Sequence, residues 1–383
     1  MTEVEWAAAR RIAFAAAEAL PAVDLDLAEA GGCVLAGPLW SLVALPPFDA
    51  AAMDGWAVRG AGPWRVTGRV LAGQPPSEAL ADGTAVEVAT GAQVPAGADS
   101  VLPYESGAVL DDELTGRIEP GRHIRRTGEE SPARTTVLAA GTVLSPAAVG
   151  LAAAVGHDVL RVIPLPRVHA LVTGDELLRS GLPGDGRIRD SVGPLLPGAI
   201  RAYGGVLVGV EPLGDDLELL RKAILDADAE VVITTGASSV GRADFLPRVL
   251  RELAAQVLVE GVRVRPGHPQ VLARLDDRRL VVGLPGNPLA ALAGMATVLA
   301  PALAALAGRP MPATTRAQLA EALAAAPTST RLVPVVVRGS LARPTGHGGA
   351  AMLRGAALAD ALAVVPPGKA LPAGASVELL GLP

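Results

Sequence analysis

Between residues 164 and 309, short runs of β-favouring residues alternate with helical patterns, and no other feature limits the possible folds as strongly. Residues 168–172, 205–210, 231–234 and 280–284 read as strands, while 192–203, 217–226 and 244–253 read as helices. Strands that are apolar throughout, separated by helices of about 10 to 15 residues, specify a parallel, doubly wound sheet covered on both faces. In such a sheet ligands bind outside the carboxyl ends of the strands, where loop N–H groups and positive helix ends meet anions. Two stretches fit that place. VVITTGASSVGRAD (231–244) is a strand, a turn bearing Gly236 and Gly241, and a helix start. Residues 280–284 lead into Pro285-Gly286, with Asn287 as a cap and Pro288 at the first helical position. The two loops are expected to face one pocket, although each alone reads equally well as an ordinary βα turn.

Elsewhere the grammar changes. Residues 4–20 have helical spacing ended by Pro21. The segment LPPFDAAAMDGWAV (45–58) sets Asp49 and Asp54 among small and apolar neighbours, so each is a turn former or a functional group. For Asp54 the turn reading carries more weight, because Asp-Gly is the commonest hairpin pair and 56–58 reads as a strand. From 64 to 105, short strands recur about every ten residues, the pattern of a small β domain. It contains the loop TGAQVPAGAD (90–99), with a hydroxyl at one end and an acid at the other. GRHIRRTGEE (121–130) reads as a solvated loop, and Ser145-Pro146 opens an alanine-rich helix to about 155. Acids follow strands again in TGDE (173–176) and in Gly214-Asp215-Asp216, which caps the helix 217–226. Strands at 332–337, 361–365 and 376–380 form a last β domain.

The composition excludes several classes. A chain of 383 residues divides into two to four domains. A net charge of -6 leaves no basic footprint for nucleic acid. Cys33 is the one cysteine, which excludes a disulfide framework and a cysteine-built metal site and fits a reducing cytoplasm. The acidic start, Met-Thr-Glu-Val-Glu, does not read as an export signal. Two charge-free runs, 137–156 and 289–308, are long enough to span a bilayer, but both are rich in alanine and glycine and contain Pro146 and Pro301. Buried helices of a globular core are the expectation, with no membrane partner.

Taken in order, the motifs resemble those of the MoeA family, the molybdopterin molybdenumtransferases, which includes the C-terminal domain of gephyrin. The resemblance runs over almost the whole chain and is carried by PPFDAAAMDGWAV (46–58), TGAQVPAGAD (90–99), TGDEL (173–177), RDS (189–191), TTGASSVGRADF (234–245), RPGHP (265–269) and GLPGNP (283–288). It implies an α/β multidomain chain. A doubly wound, MogA-like molybdopterin-binding domain would occupy 164–309, and an inserted β domain 45–129. A linking α/β domain would be built from 1–44 and 130–163, and a C-terminal β-barrel from 310–383. It also implies a cytoplasmic homodimer, with the active site between the doubly wound domain of one subunit and the inserted domain of the other. Molybdopterin adenylyltransferase and molybdoenzymes are the further partners it suggests.

The implied reaction takes adenylylated molybdopterin and molybdate, with Mg²⁺, to molybdenum cofactor and AMP. Carboxylates would hold the hard cation among the phosphates, and glycine-loop N–H groups with cations would hold the anions. By match of motif, Asp54, Thr90, Glu176 and Asp244 are the catalytic residues, with Asp54, Glu176 and Asp244 on the metal. Asp215, Gly236, Ser238, Ser239, Gly241, Arg265, His268, Pro285, Gly286 and Asn287 would bind substrate. Some positions depart from the family pattern. Ala50 and Ala51 stand for Asn and Ser, and 235–239 reads Thr-Gly-Ala-Ser-Ser rather than Ser-Gly-Gly-Val-Ser. Val192 stands for Asn, Glu130 for the acid of Gly-Glu-Asp, and 346–351 lacks a serine. Arg265 and His268 replace the two lysines of Lys-Pro-Gly-Lys-Pro, and a planar guanidinium is not a compact ammonium. These changes motivate a second reading, a paralogue that binds molybdopterin or the finished cofactor as a carrier or sensor. A third, an adenylyltransferase acting one step earlier, resembles the doubly wound domain alone and leaves the domain carrying Asp54 unused.

Overall fold

The central strands of the expected sheet, Val231–Thr235 and Leu280–Leu284, are buried at every residue because helices cover both of their faces. The computed structural model describes residues 3–236 and 245–383. The sheet order is Val206–Leu213, Arg167–Thr173, Val231–Thr235, Leu280–Leu284, Val271–Arg274 and Gln256–Glu260. The first four run parallel, Val271–Arg274 runs antiparallel to both of its neighbours, and Gln256–Glu260 at the edge again shares the direction of the first four. The first of these six strands along the chain, Arg167–Thr173, thus has the second on one side and the third on the other. That reversal opens the crevice in which doubly wound sheets bind ligands.

This sheet belongs to one of two units, made of Met1–Val23, Gly32–Val34 and Ile163–Pro383. Its helix Leu217–Asp226 matches the expected bounds, and the Asp216 carboxylate accepts from Leu219 N–H at 2.8 Å. The helix expected at 192–203 begins instead as a 3₁₀ turn, Gly193–Leu195, and becomes α-helical only over Leu196–Ala202, with prolines in the first turn of each. The N-terminal helix is also shorter than its spacing predicts, Trp6–Ala15. Val4–Glu5 is extended and pairs in parallel with Val262–Arg265, and the Leu20 N–H donates to Leu306 O at 2.8 Å, so tertiary hydrogen bonds replace further turns at both ends.

Among the described residues one helical run, Pro288–Leu306, is long and apolar enough to cross a membrane, and it is buried along its whole length. It carries a π turn at Met295–Leu299. The Ala296 carbonyl in that turn accepts from Arg10 Nη1 at 2.8 Å, and Thr297 Oγ1 accepts from Trp6 Nε1 at 3.1 Å. A π turn leaves the backbone ladder irregular, and here a buried guanidinium supplies a donor. The C-terminal strands close into a barrel because Thr330–Arg338 pairs with both Leu341–Pro344 and Ala361–Val365.

The second unit, Asp24–Gly31 and Leu35–Val162, is built on a six-stranded sheet. Its order is Gly107–Leu110, Glu113–Gly116, Trp64–Val70, Thr84–Val88, Gly55–Val58 and Ser100–Pro103. The expected helix is present at Pro146–Ala154, where the Ser145 hydroxyl accepts from Ala148 N–H at 3.2 Å.

Candidate functional site

In the β unit, Gly55–Val58 starts where its two antiparallel neighbours, Thr84–Val88 and Ser100–Pro103, end. Asp54, Thr90 and Tyr104 therefore gather at one end of the sheet. Asp54 Oδ1 accepts from Thr90 N–H at 2.7 Å, which joins two motifs that the sequence keeps apart. The Asp-Gly pair is no hairpin turn: it enters a strand, and a β-carbon at Gly55 would lie 2.0 Å from the Leu102 carbonyl oxygen. The pairing of two strands across Gly55, rather than the turn preference of Asp-Gly, fixes this residue.

The loop 121–130 is not merely solvated. Arg126 Nη1 lies 2.7 Å from Asp49 Oδ2, while Thr127 N–H and hydroxyl donate to Oδ1 at 2.8 and 3.0 Å. Desolvation would raise the Asp49 carboxyl, but Thr127 N–H, Arg126 and the Thr127 hydroxyl together outweigh it and hold it below the usual carboxylate range. Asp49 thus clamps the loop, and Asp54 keeps an exposed carboxylate with Oδ2 unbonded among the described residues.

In the doubly wound unit, the loop after Arg167–Thr173 folds tightly. Gly174 has φ +138°, and a β-carbon there would lie 2.7 Å from Glu176 Oε2, so glycine makes room for that carboxylate. Asp175 Oδ1 accepts a long hydrogen bond, 3.4 Å, from Asp215 N–H. Asp216 is the residue that caps the following helix, leaving the exposed Asp215 carboxylate outside it. Asp190 Oδ1 accepts from Val192 and Gly193 N–H at 3.0 and 2.8 Å. Gly174, Asp175, Asp190, Gly214 and Arg179 line a cleft of about 230 Å³. Arg179 escaped the sequence reading because nothing local distinguishes it from other surface arginines.

The two glycine loops do meet. Gly236, at φ +90°, would place a β-carbon 2.8 Å from Thr173 O, and one at Gly286 would lie 3.3 Å from Gly236 Cα. Gly236 needs glycine for both its φ and this contact, and a side chain at Gly286 would crowd the approach. Ser238, Ser239, Gly241 and Asp244 lie outside the described residues. Pro285 is buried, and Gly286 and Asn287 are exposed. Asn287 occupies the N-cap position, but its side chain makes no capping bond. Instead the Ala350 carbonyl accepts from Leu289 and Ala290 N–H at 2.9 and 3.2 Å. The first N–H groups of this helix are thus already satisfied, contrary to the expectation that they would be open to an anion.

Arg265 pairs in parallel register with Arg331, a residue that sequence reasoning missed because its partner is far away in the chain. Both line a cleft of about 280 Å³ with Pro266, Gly348 and Ala350. His268, expected to bind substrate, has a partner in the N-terminal segment: its Nε2 lies 2.8 Å from Glu3 Oε1. Arg263 is likewise paired with Glu5 at 2.5 Å, so the N-terminal segment engages two of the side chains around RPGHP. Among the described residues no three His, Cys, Asp or Glu side chains are placed to share a metal ion.

Three family models match the chain. "MoeA N-terminal region (domain I and II)" covers residues 4–156, "Probable molybdopterin binding domain" 169–305, and "MoeA C-terminal region (domain IV)" 316–382. A Mycobacterium tuberculosis protein named molybdopterin molybdenumtransferase 2 is 37% identical over 311 residues, 76% of each chain. A Staphylococcus aureus molybdopterin molybdenumtransferase is 30% identical over 386 residues, covering 94% of this chain and 91% of its own. The crystal structure of the molybdopterin biosynthesis MoeA protein of Pyrococcus horikoshii superposes with a TM-score of 0.76 at 26% identity, over 99% of both chains.

Proposed function

The chain belongs to the MoeA family, the molybdopterin molybdenumtransferases of molybdenum cofactor biosynthesis, and from that premise we propose that it inserts molybdate into adenylylated molybdopterin with release of AMP. The observation that carries this reading is the Asp54–Thr90 contact, which sets an exposed carboxylate at the end of a rigid sheet. Asp54 and Glu176 both offer exposed carboxylate oxygens, hard donors of the kind Mg²⁺ takes alongside phosphates. Across the proposed homodimer, Asp54 of one subunit with Glu176 and Asp244 of the other would hold that ion, which when bound would neutralise the phosphate oxygens of the anhydride. Gly236 and Gly286, which let the two loops come together, would shape the substrate pocket, with Asp215, Ser238, Ser239, Gly241, Pro285 and Asn287 around it. Arg265 and Arg331 would draw the molybdate dianion, since two adjacent guanidinium groups favour an oxyanion between them.

The reading as a carrier or sensor has lost its support. Ala50, Ala51 and Val192 are 6, 0 and 5% exposed, so they fill core positions rather than vacate an open site. The second guanidinium, Arg331, supplies a cation in place of a lost lysine.

The test is AMP release from adenylylated molybdopterin by the purified chain with Mg²⁺. Release that depends on molybdate is the expected result, and intact bound substrate would sink the assignment. We further propose a homodimer in the cytoplasm. The edge strand Val206–Leu213 exposes Val206, Val208 and Val210 at 43, 44 and 45%, an apolar edge of the kind a second copy covers. Light scattering is expected to give twice the chain mass of 38.6 kDa, and Val208→Glu to shift it toward the monomer.

A further inference from the structure

At the Asp54 end of the β unit lies a second set of contacts in which no residue has yet a role. Tyr104 follows the strand Ser100–Pro103, and its main-chain N–H donates to the Asp54 carbonyl at 3.2 Å. Its phenol donates to Glu87 Oε1 at 2.5 Å, and Glu87 is held in turn by Arg69, whose Nε lies 3.2 Å from Oε2. The ring meets Trp56 edge on, with centroids 4.8 Å apart and planes at 82°. Trp56 is itself backed by Gly107, where a β-carbon would fall 2.8 Å from the indole Cζ3. The Glu87 contact first, and desolvation second, push the phenol pKa up, so the hydroxyl remains a donor. Tyr104 is fixed at its hydroxyl and against the indole, yet it is 41% exposed. Only 2% of the residues in this chain are aromatic, and such a ring serves no core.

A ring locked beforehand loses little freedom when a flat ligand lies on it. We propose that Tyr104 is the platform on which a planar heteroaromatic ring of the substrate stacks, beside the Asp54 carboxylate. The inference rests on the function proposed above, whose substrate carries two such rings, adenine and pterin, on either side of a pyrophosphate. The Glu87–Arg69 pair orients the platform without touching the ligand, which makes Glu87 a positioning residue.

Titration calorimetry on the full chain tests this with AMP, ribose 5-phosphate and 6-hydroxymethylpterin as probes. Tyr104→Ala is expected to weaken one ring ligand by about tenfold or more, the usual scale of base stacking on an aromatic side chain, and to leave ribose 5-phosphate unchanged. Loss for AMP assigns the platform to adenine, and loss for the pterin assigns it to that ring. Tyr104→Phe and Glu87→Ala keep the ring but unlock it, and about a threefold loss is expected in each for the removed hydrogen bond; they also decide the matter if the alanine variant misfolds. The platform is overturned if Tyr104→Ala binds both rings like the unaltered chain, if ribose 5-phosphate weakens equally, or if the unaltered chain binds neither ring. Unaltered protein that binds AMP on Tyr104 but never releases it from adenylylated molybdopterin would remove the reaction and leave the platform. An active protein indifferent to Tyr104→Ala would remove the platform alone.

Discussion

Asp54→Ala is expected to lower molybdate-dependent AMP release by about a thousandfold while leaving the fold intact. A carboxylate that holds a metal ion on a phosphoryl group supplies several kcal/mol of charge stabilisation, and each 1.4 kcal/mol, roughly, is a factor of ten in rate. The side chain is exposed and among the described residues its one hydrogen bond is with Thr90 N–H, so stability should fall by only about 0.5 to 1.5 kcal/mol. Asp54→Asn separates two roles of the residue. Its amide oxygen can still accept from Thr90 N–H, so the loop stays in place, but the negative charge is gone. If charge is what the reaction uses, Asn should be nearly as inactive as Ala, with a melting temperature closer to that of the unaltered chain. Single-turnover AMP release beside thermal unfolding reads both quantities. Full activity in either variant would take Asp54 out of the site.

The parts of the fold that the sequence discloses are those decided by local patterns. Leu217–Asp226 is bounded by its own cap, and Leu280–Leu284 is apolar because it lies at the centre of a covered sheet. What stayed hidden depends on partners far along the chain. Asp49 meets Arg126 across 77 residues, and His268 meets Glu3 across 265. Such pairs leave no trace in spacing, so loop 121–130 read as solvated and the Glu3 partner of His268 went unseen. Asp54-Gly55 misled in another way. Its turn preference is real, but Gly55 is required by the close carbonyl of Leu102, a contact between strands that no local pattern reports. The glycines at 236 and 286 could be placed at strand ends from sequence, whereas their mutual approach needed the parallel pairing of Val231–Thr235 with Leu280–Leu284.

The cleft of Arg265 and Arg331 should govern the response to molybdate. Two guanidinium groups in register on paired strands repel one another, and neither has a carboxylate partner among the described residues. An oxyanion between them removes that repulsion and gains charge-assisted hydrogen bonds, each worth about 1.5 to 3 kcal/mol. Arg265→Ala is therefore expected to raise the molybdate concentration for half-maximal AMP release by roughly 10- to 100-fold, with a smaller effect on the rate at saturation. Arg331→Ala should act in the same direction, and the double variant should fall short of the product of the two because they share one ligand. Stability offers an independent reading. A ligand at about 100 times its dissociation constant stabilises the folded state by about 2.7 kcal/mol, so molybdate should raise the melting temperature of the unaltered chain but not of Arg265→Ala. Without the anion, Arg265→Ala should be no less stable, because the change removes a like-charge neighbour. His268→Ala is the control. Its ring is engaged with Glu3, so molybdate dependence should move by no more than about twofold, the scale of one exposed polar contact. A large shift in His268→Ala with none in Arg265→Ala would transfer the oxyanion site from the arginine pair to the histidine.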